Sequence, residues 1–247
     1  MSTPSSQSDS ATANLTMAPS SRQEMDNALA RLAQRKDEWA RRSPDELISI
    51  VEELRRDVAA VGEEWVRRSA AAKGVAQLPV GVGEEWLFVG VISRKLRLLQ
   101  QSLRDIAQGE SPQLPGPFTV NKHGHVVAPV FPVSSLDRLA LQGVSAEAWM
   151  RAGIGIDETR QTQASAYKED ARPGRVALVL GAGNVSALVP GDFLHKLFVE
   201  RSVVILKPNE VNEYLGPVLE EGFRALIERG YLQIVYGGVE EGKYLCT

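Results

Sequence analysis

Arg175-Val-Ala-Leu-Val-Leu-Gly-Ala-Gly-Asn184, with Ser202-Val-Val-Ile-Leu-Lys207 and Leu232-Gln-Ile-Val-Tyr236 behind it, decides the fold of this chain. Each carries a short apolar run that ends at glycine or lysine. Such runs are too short for a buried helix and have the composition of strands covered on both faces. Between the first two, Phe193, Leu194, Leu197 and Phe198 recur at helical spacing. Between the second and third, Leu215, Val218, Leu219, Phe223, Leu226 and Ile227 do the same. Strands alternating with helices specify a parallel sheet of βαβ units joined by right-handed crossovers. The fold class expected is therefore α/β, a partial doubly wound parallel sheet of three βα units, preceded by a helical region and a β-hairpin.

The residues just past the first strand, Gly181-Ala182-Gly183-Asn184-Val185-Ser186, stand where a dinucleotide fingerprint would stand, between a strand and a helix. They depart from that fingerprint in two ways. Ser186 replaces the third glycine, and the next strand ends in Lys207 rather than in an acidic residue. A longer constellation accounts for more: Asn184 after the first strand, Pro190 at the start of the following helix, and Lys207-Pro208-Asn209-Glu210 closing the second strand. Asn184 and Lys207 lie 23 positions apart, and the third strand runs into Gly237-Gly238.

This arrangement resembles the aldehyde dehydrogenase superfamily, over roughly Pro173 to Thr247. The resemblance implies a nicotinamide dinucleotide as cofactor, with Lys207, Pro208 and Glu210 forming the element that holds the adenosine ribose. It also implies that the Asn184 amide helps form an oxyanion hole. Each role is chemically sound. A carboxylate at Glu210 accepts hydrogen bonds from vicinal ribose hydroxyls, which favours NAD and leaves NADP possible, and Lys207 can donate to the same hydroxyls. An oxyanion donor at Asn184 would be worth about 2.7–4 kcal/mol. Taken alone, Lys207 and Glu210 read as a solvated strand end; the strand order and the Asn184 spacing favour the cofactor role.

Two departures from the family pattern accompany the match. Arg201 stands where a glycine is usual before the second strand, which implies a different local geometry. The family's Gly-x-Thr-x-x-Gly turn, general-base glutamate and catalytic cysteine would all fall beyond Thr247, so the chain is expected to be inactive alone. An aldehyde substrate would then be taken only by a complete enzyme, with NAD(P) as acceptor. The alternatives are a non-catalytic remnant or interaction module pairing with a full-length relative, and the acyl-CoA-reducing branch of the superfamily. A homo-oligomer is possible under each.

Upstream, Met25, Leu29 and Leu32 mark a helix from Arg22. Ser43-Pro44-Asp45-Glu46 is a helix start with a capping box, leading through Leu47, Ile50, Val51, Leu54 and Val58 towards Trp65. Gly74–Gly83 reads as a breaker, followed by a third helix through Trp86, Val89, Leu96, Leu99 and Leu103. Phe118–Val120 and Val126–Val130 flank Asn121-Lys122-His123-Gly124 as a hairpin, and its prolines argue for a sheet edge. The organisation expected is a disordered tail over 1–21, a helical region over 22–110, a hairpin and connecting segment over 111–171, and an incomplete Rossmann-like NAD(P)-binding portion over 172–247.

Among 247 residues, 28 basic side chains face 31 acidic ones, for a net charge of −3. No surplus of positive charge favours nucleic acid, and no apolar stretch reaches the about eighteen residues of a membrane span. One cysteine, Cys246, excludes an internal disulfide and a thiolate metal cage; with no signal-peptide pattern at the start, the expected location is cytoplasmic. Cys246 itself reads as a small apolar filler. His123 and His125 read as solvated turn residues, with no metal site expected, and His195 as a surface residue.

Overall fold

The computed structural model describes residues 17–168 and 173–247. The expected tail over 1–21 therefore lies mostly outside the described residues. Of its last five, Met17 donates its N–H to Glu213 at 3.2 Å, and Ser20 exchanges two hydrogen bonds with Tyr236, each at 3.0 Å. Ser21 caps the first helix.

Four helices come first: α1 (Arg22–Arg41), α2 (Pro44–Ala60), α3 (Gly62–Ala72) and α4 (Pro79–Ala107). Ser21 and Ser43 each accept from the backbone N–H three residues on, while Glu24 and Glu46 reach back to the cap. These are the capping boxes that satisfy the orphan donors of a first turn. The helix expected to run from Pro44 towards Trp65 is broken at Val61, where φ is −91° and ψ is 0°. Glycine at 62 makes that break cheap. The Gly74–Gly83 segment breaks the chain only in its first half, because Pro79 starts α4 and its fixed φ suits a first turn.

The described residues form two compact units, one comprising 17–100 and 173–247, the other 101–168. Of the helical region expected over 22–110, the residues up to 100 thus belong to one unit with the strands of the last third, and the remainder to the other.

The second unit is a small antiparallel sheet of β1 (Thr119–Val120), β2 (Val126–Phe131) and β3 (Ala146–Trp149), with short helices α5 (Ser135–Ala140) and α6 (Ile156–Thr162). The hairpin forms as expected, but its second strand is central: β2 pairs with β1 on one side and β3 on the other. Pro129 is tolerated there because the β2–β3 register shifts between Pro129 and Phe131, a bulge where a missing donor costs little.

The first unit closes with β4 (Arg175–Leu180), α7 (Leu188–Leu194), β5 (Ser202–Lys207), α8 (Gly216–Gly222), α9 (Arg224–Glu228), β6 (Leu232–Ile234) and α10 (Val239–Leu245). A π-helical turn at His195–Val199 follows α7, and a 3-10 helix at Glu210–Leu215 precedes α8. β4, β5 and β6 form a parallel sheet in that order, with Arg175 opposite Ser202 and Leu180 opposite Lys207. All six residues of central β5 are buried, as a strand covered on both faces requires.

Helix α1 packs on all three strands, and α2 on α8 and α9. Trp39 is the anchor of α1. It is fully buried, donates its indole N–H to Leu197 O at 3.0 Å, and meets Phe198 edge-on at 5.4 Å between ring centres. Burying so large a ring with its one donor satisfied contributes apolar area at no polar cost.

Arg201, one residue before β5, adopts φ +58°, the left-handed region that a glycine enters freely. Its guanidinium donates to Ala40 O at 3.0 Å and Arg42 O at 2.5 Å, closing the C-terminal end of α1. The preceding turn therefore keeps a glycine-like backbone, and the arginine serves as a fastener between that turn and the first helix.

Candidate functional site

Parallel strands whose register keeps Leu180 beside Lys207 end together, and the segments leaving them must part around a cleft. That cleft has a volume of about 700 Å³ and is bounded by the ends of β4 and β5, the Gly237–Gly238 turn and α10. Its walls include Leu180, Pro208 and Val239 as apolar surface, with Lys207, Glu210 and Lys243 as charges.

The backbone at its floor is tight. A Cβ at Gly181 would lie 2.8 Å from a Val189 methyl and 3.1 Å from Pro208 Cα, so only glycine lets the exits of β4 and β5 cross this closely. The Gly181 N–H donates to Lys207 O at 2.8 Å, extending the ladder by one bond. The two exit loops are then stitched together: Asn212 Nδ2 donates to Ala182 O at 3.0 Å. Asn209 Oδ1 accepts from Val211 N at 3.1 Å, which caps the 3-10 helix.

Lys207 is buried at the end of β5, and its ammonium donates to Pro208 O at 3.3 Å. Glu210 is exposed, and its Oε1 lies only 2.8 Å from the place a Cβ would take at Gly238. Glycine at 238 therefore gives that carboxylate its place at the rim. Behind it, buried Glu213 accepts from Gly237 N at 2.9 Å as well as from Met17 N, which holds the turn in position. Tyr236 donates to Glu220 at 2.7 Å; burial, with that carboxylate beside it, pushes its hydroxyl well above the usual tyrosine range.

Three of the four sequence-derived residues, Lys207, Pro208 and Glu210, thus line one cleft. Asn184 does not line it; it stands exposed on the loop between β4 and α7. Cys246, read as an apolar filler, is instead exposed on the cleft wall, because α10 is a single short helix lying open along the cleft. His195 is about half exposed and lies 3.4 Å from Glu200. His125 contacts Met150 O at 2.9 Å and stacks on Trp149, while His123 is exposed. Ser186, which replaces the fingerprint glycine, is buried and donates to Glu85 at 3.2 Å. Glu85 carried no signal in the sequence: it is one of two adjacent glutamates near the start of α4.

This order of elements is shared with solved structures. A bifunctional proline utilization A protein matches with a TM-score of 0.56 at 13% identity over 93% of this chain. The chain has the fold of part of an aldehyde dehydrogenase. Aldehyde dehydrogenase 21 from Physcomitrella patens, solved with succinate, matches at 0.54 and 12% identity over 93% of this chain. Aldehyde dehydrogenase C from Pseudomonas syringae, solved as a mutant with NAD+ and octanal, matches at 0.52 and 13% identity over 90%. The chain spans 18% of the first of these proteins, 38% of the second and 34% of the third. No family model and no curated protein matches the sequence. No helix among the described residues is long and apolar enough to cross a membrane.

Proposed function

We propose that the cleft beyond β4 and β5 binds the adenosine half of a nicotinamide dinucleotide, as part of an enzyme acting on an aldehyde or oxo group. The observation that carries this reading is the convergence of Lys207, Pro208 and Glu210 on one cleft at the strand ends of a parallel sheet. The donor set suits a ribose. Glu210 offers an acceptor for vicinal hydroxyls at the rim, Lys207 a donor at the floor, and Pro208 with Val239 apolar walls against a purine. An acceptor carboxylate at the rim disfavours a 2′-phosphate, so NAD is preferred over NADP. The dinucleotide, when bound, supplies the hydride acceptor of the reaction.

The chain's own part is to bind and orient. Glu210 and Lys207 would fix the ribose between the two strand exits. Asn184, on the adjacent loop, would present its amide to charge developing on a substrate oxygen.

Calorimetric titration with NAD, NADP and ADP-ribose tests the reading. ADP-ribose is expected to retain most of the affinity for NAD, and NADP to bind more weakly. Glu210→Ala is expected to raise the Kd for NAD about tenfold or more, the scale of a charge-assisted hydrogen bond. Lys207→Ala should act in the same direction. Unchanged affinity in both variants would remove these residues from the site. Absence of binding to all three ligands would favour the non-catalytic interaction module instead.

A further inference from the structure

Beneath the two loops that frame the cleft lies a buried polar cluster supplied by α3 and α4. Glu85 is fully buried, and its Oε1 meets Lys73 Nζ at 2.5 Å. Its Oε2 accepts from Ser186 Oγ at 3.2 Å, across 101 positions of sequence. Lys73 remains about one-third exposed, its ammonium 5.1 Å from the centre of the Phe88 ring. The 3-10 helix that begins with Glu210 packs on α3 nearby, with Tyr214 buried. Arg68 of α3 also donates to Tyr214 O at 3.3 Å.

A buried ion pair of this kind contributes little to net stability, because desolvating both groups offsets most of their attraction. What it does supply is direction. A carboxylate held by a lysine on one oxygen presents the other at a fixed place, and here the group hung on that oxygen is the loop leaving β4. The 3-10 helix leaving β5 is tied to that loop, because Asn212 Nδ2 donates to Ala182 O. We propose that Glu85, oriented by Lys73, is a positioning residue for the cleft, acting through Ser186 on the β4–α7 loop and, by way of the Asn212–Ala182 bond, on the Glu210 segment. This deepens the nucleotide reading above and rests on it for its affinity arm alone.

Three variants test it. Ser186→Ala removes the hydroxyl and leaves Glu85 still paired with Lys73. Glu85→Ala removes the anchor, and Glu85→Gln keeps an acceptor for Lys73 and offers its NH2 to the Ser186 hydroxyl, without the charge. Hydrogen exchange of the free protein reads the loops through the Leu188 and Gly191 amides, which are bonded to Val185 O and Ala187 O, and the Asn212 amide, bonded to Asn209 O. Ser186→Ala is expected to speed exchange at Leu188 and Gly191 about three- to tenfold, the scale of one hydrogen bond, leaving the β5 amides unchanged. Glu85→Ala should extend the effect to Asn212.

For ADP-ribose, Ser186→Ala is expected to raise the Kd by a similar factor. The Glu85→Ala, Ser186→Ala double variant should be no weaker than Glu85→Ala alone, and Glu85→Gln should stay within about twofold of the parent protein. Parent-like exchange in Ser186→Ala, or acceleration spread evenly over the unit, overturns the proposal. So does unchanged ADP-ribose affinity where the parent protein binds. If the parent binds no ADP-ribose, the nucleotide reading fails, and exchange alone decides whether Glu85 positions the loops.

Discussion

Arg201 pays for a left-handed backbone with two hydrogen bonds to the end of α1. The balance predicts an order among variants. Arg201→Ala loses the bonds and keeps the strained φ, whereas Arg201→Gly loses the bonds and relieves the strain. Both are expected to be less stable than the parent in urea denaturation, with alanine the worse by about 1 kcal/mol. Equal stability of the two would mean that the backbone at 201 is not strained. Residue-scale legibility followed from proximity in sequence. Lys207, Pro208 and Glu210 sit within four positions, so one motif carries all three. Glu85, Lys73 and Ser186 meet only through the fold, and neither one of two adjacent glutamates near a helix start nor a serine in a glycine's place announces a partner 101 positions away. Cys246 was misread because a lone thiol has no pattern, and its exposure depends on how a short helix lies.

Elements with their own punctuation were legible for a local reason. Ser43-Pro44-Asp45-Glu46 contains cap, first-turn proline and return carboxylate, and each has its expected partner. Ser43→Ala is expected to cost about 1 kcal/mol, and Ser21→Ala a similar amount, read as shifts in the urea midpoint. A negligible loss for both would mean that tertiary packing, not capping, fixes where these helices begin. The β4, β5 and β6 runs were equally plain in their apolarity, but only central β5 is buried throughout; β4 and β6, which flank it, are partly exposed, contrary to the expectation of strands covered on both faces. The small sheet was harder. β3 has the pattern Ala-Glu-Ala-Trp, exposed along most of its length, so neither alternation nor continuous apolarity marks it. With β3 unrecognised, the prolines of β2 argued for an edge; the bulge beside Pro129 is what lets a central strand carry one.

At the scale of the whole molecule, α1 and the sheet are joined by a charged bridge. Tyr231 Oη donates to Glu38 at 2.5 Å, and Arg42 binds both partners. The Tyr231 hydroxyl is held above the usual tyrosine range, by burial first and then by Glu38; Tyr236 is raised in the same way by burial and Glu220. The sign follows from linkage. The folded chain keeps protons that the unfolded chain releases near pH 10, so the stability they contribute is complete below about pH 10 and is lost as pH rises towards the folded values. Urea midpoints are expected to fall steeply above about pH 10. Tyr236→Phe should flatten that limb while costing about 1 kcal/mol at neutral pH through the lost bond to Glu220. A limb as steep as the parent's would assign the loss to other groups.

The bond from the Trp39 indole to Leu197 spans 158 positions. Synthesis runs in one direction, so α1 must wait for the strands that are made after it. At roughly 5–20 residues per second, α1 leaves the ribosome some 8–30 s before β5 can receive it. Through that interval Trp39, Leu32 and Met25, all buried in the finished fold, face water or a chaperone. Nascent chains stalled before Ser202 should leave Trp39 open to an aqueous quencher, and chains long enough to expose Tyr236 should shield it. Shielding in the shorter chains would mean that α1 finds a temporary partner among α2, α3 and α4, and must surrender it when the sheet arrives.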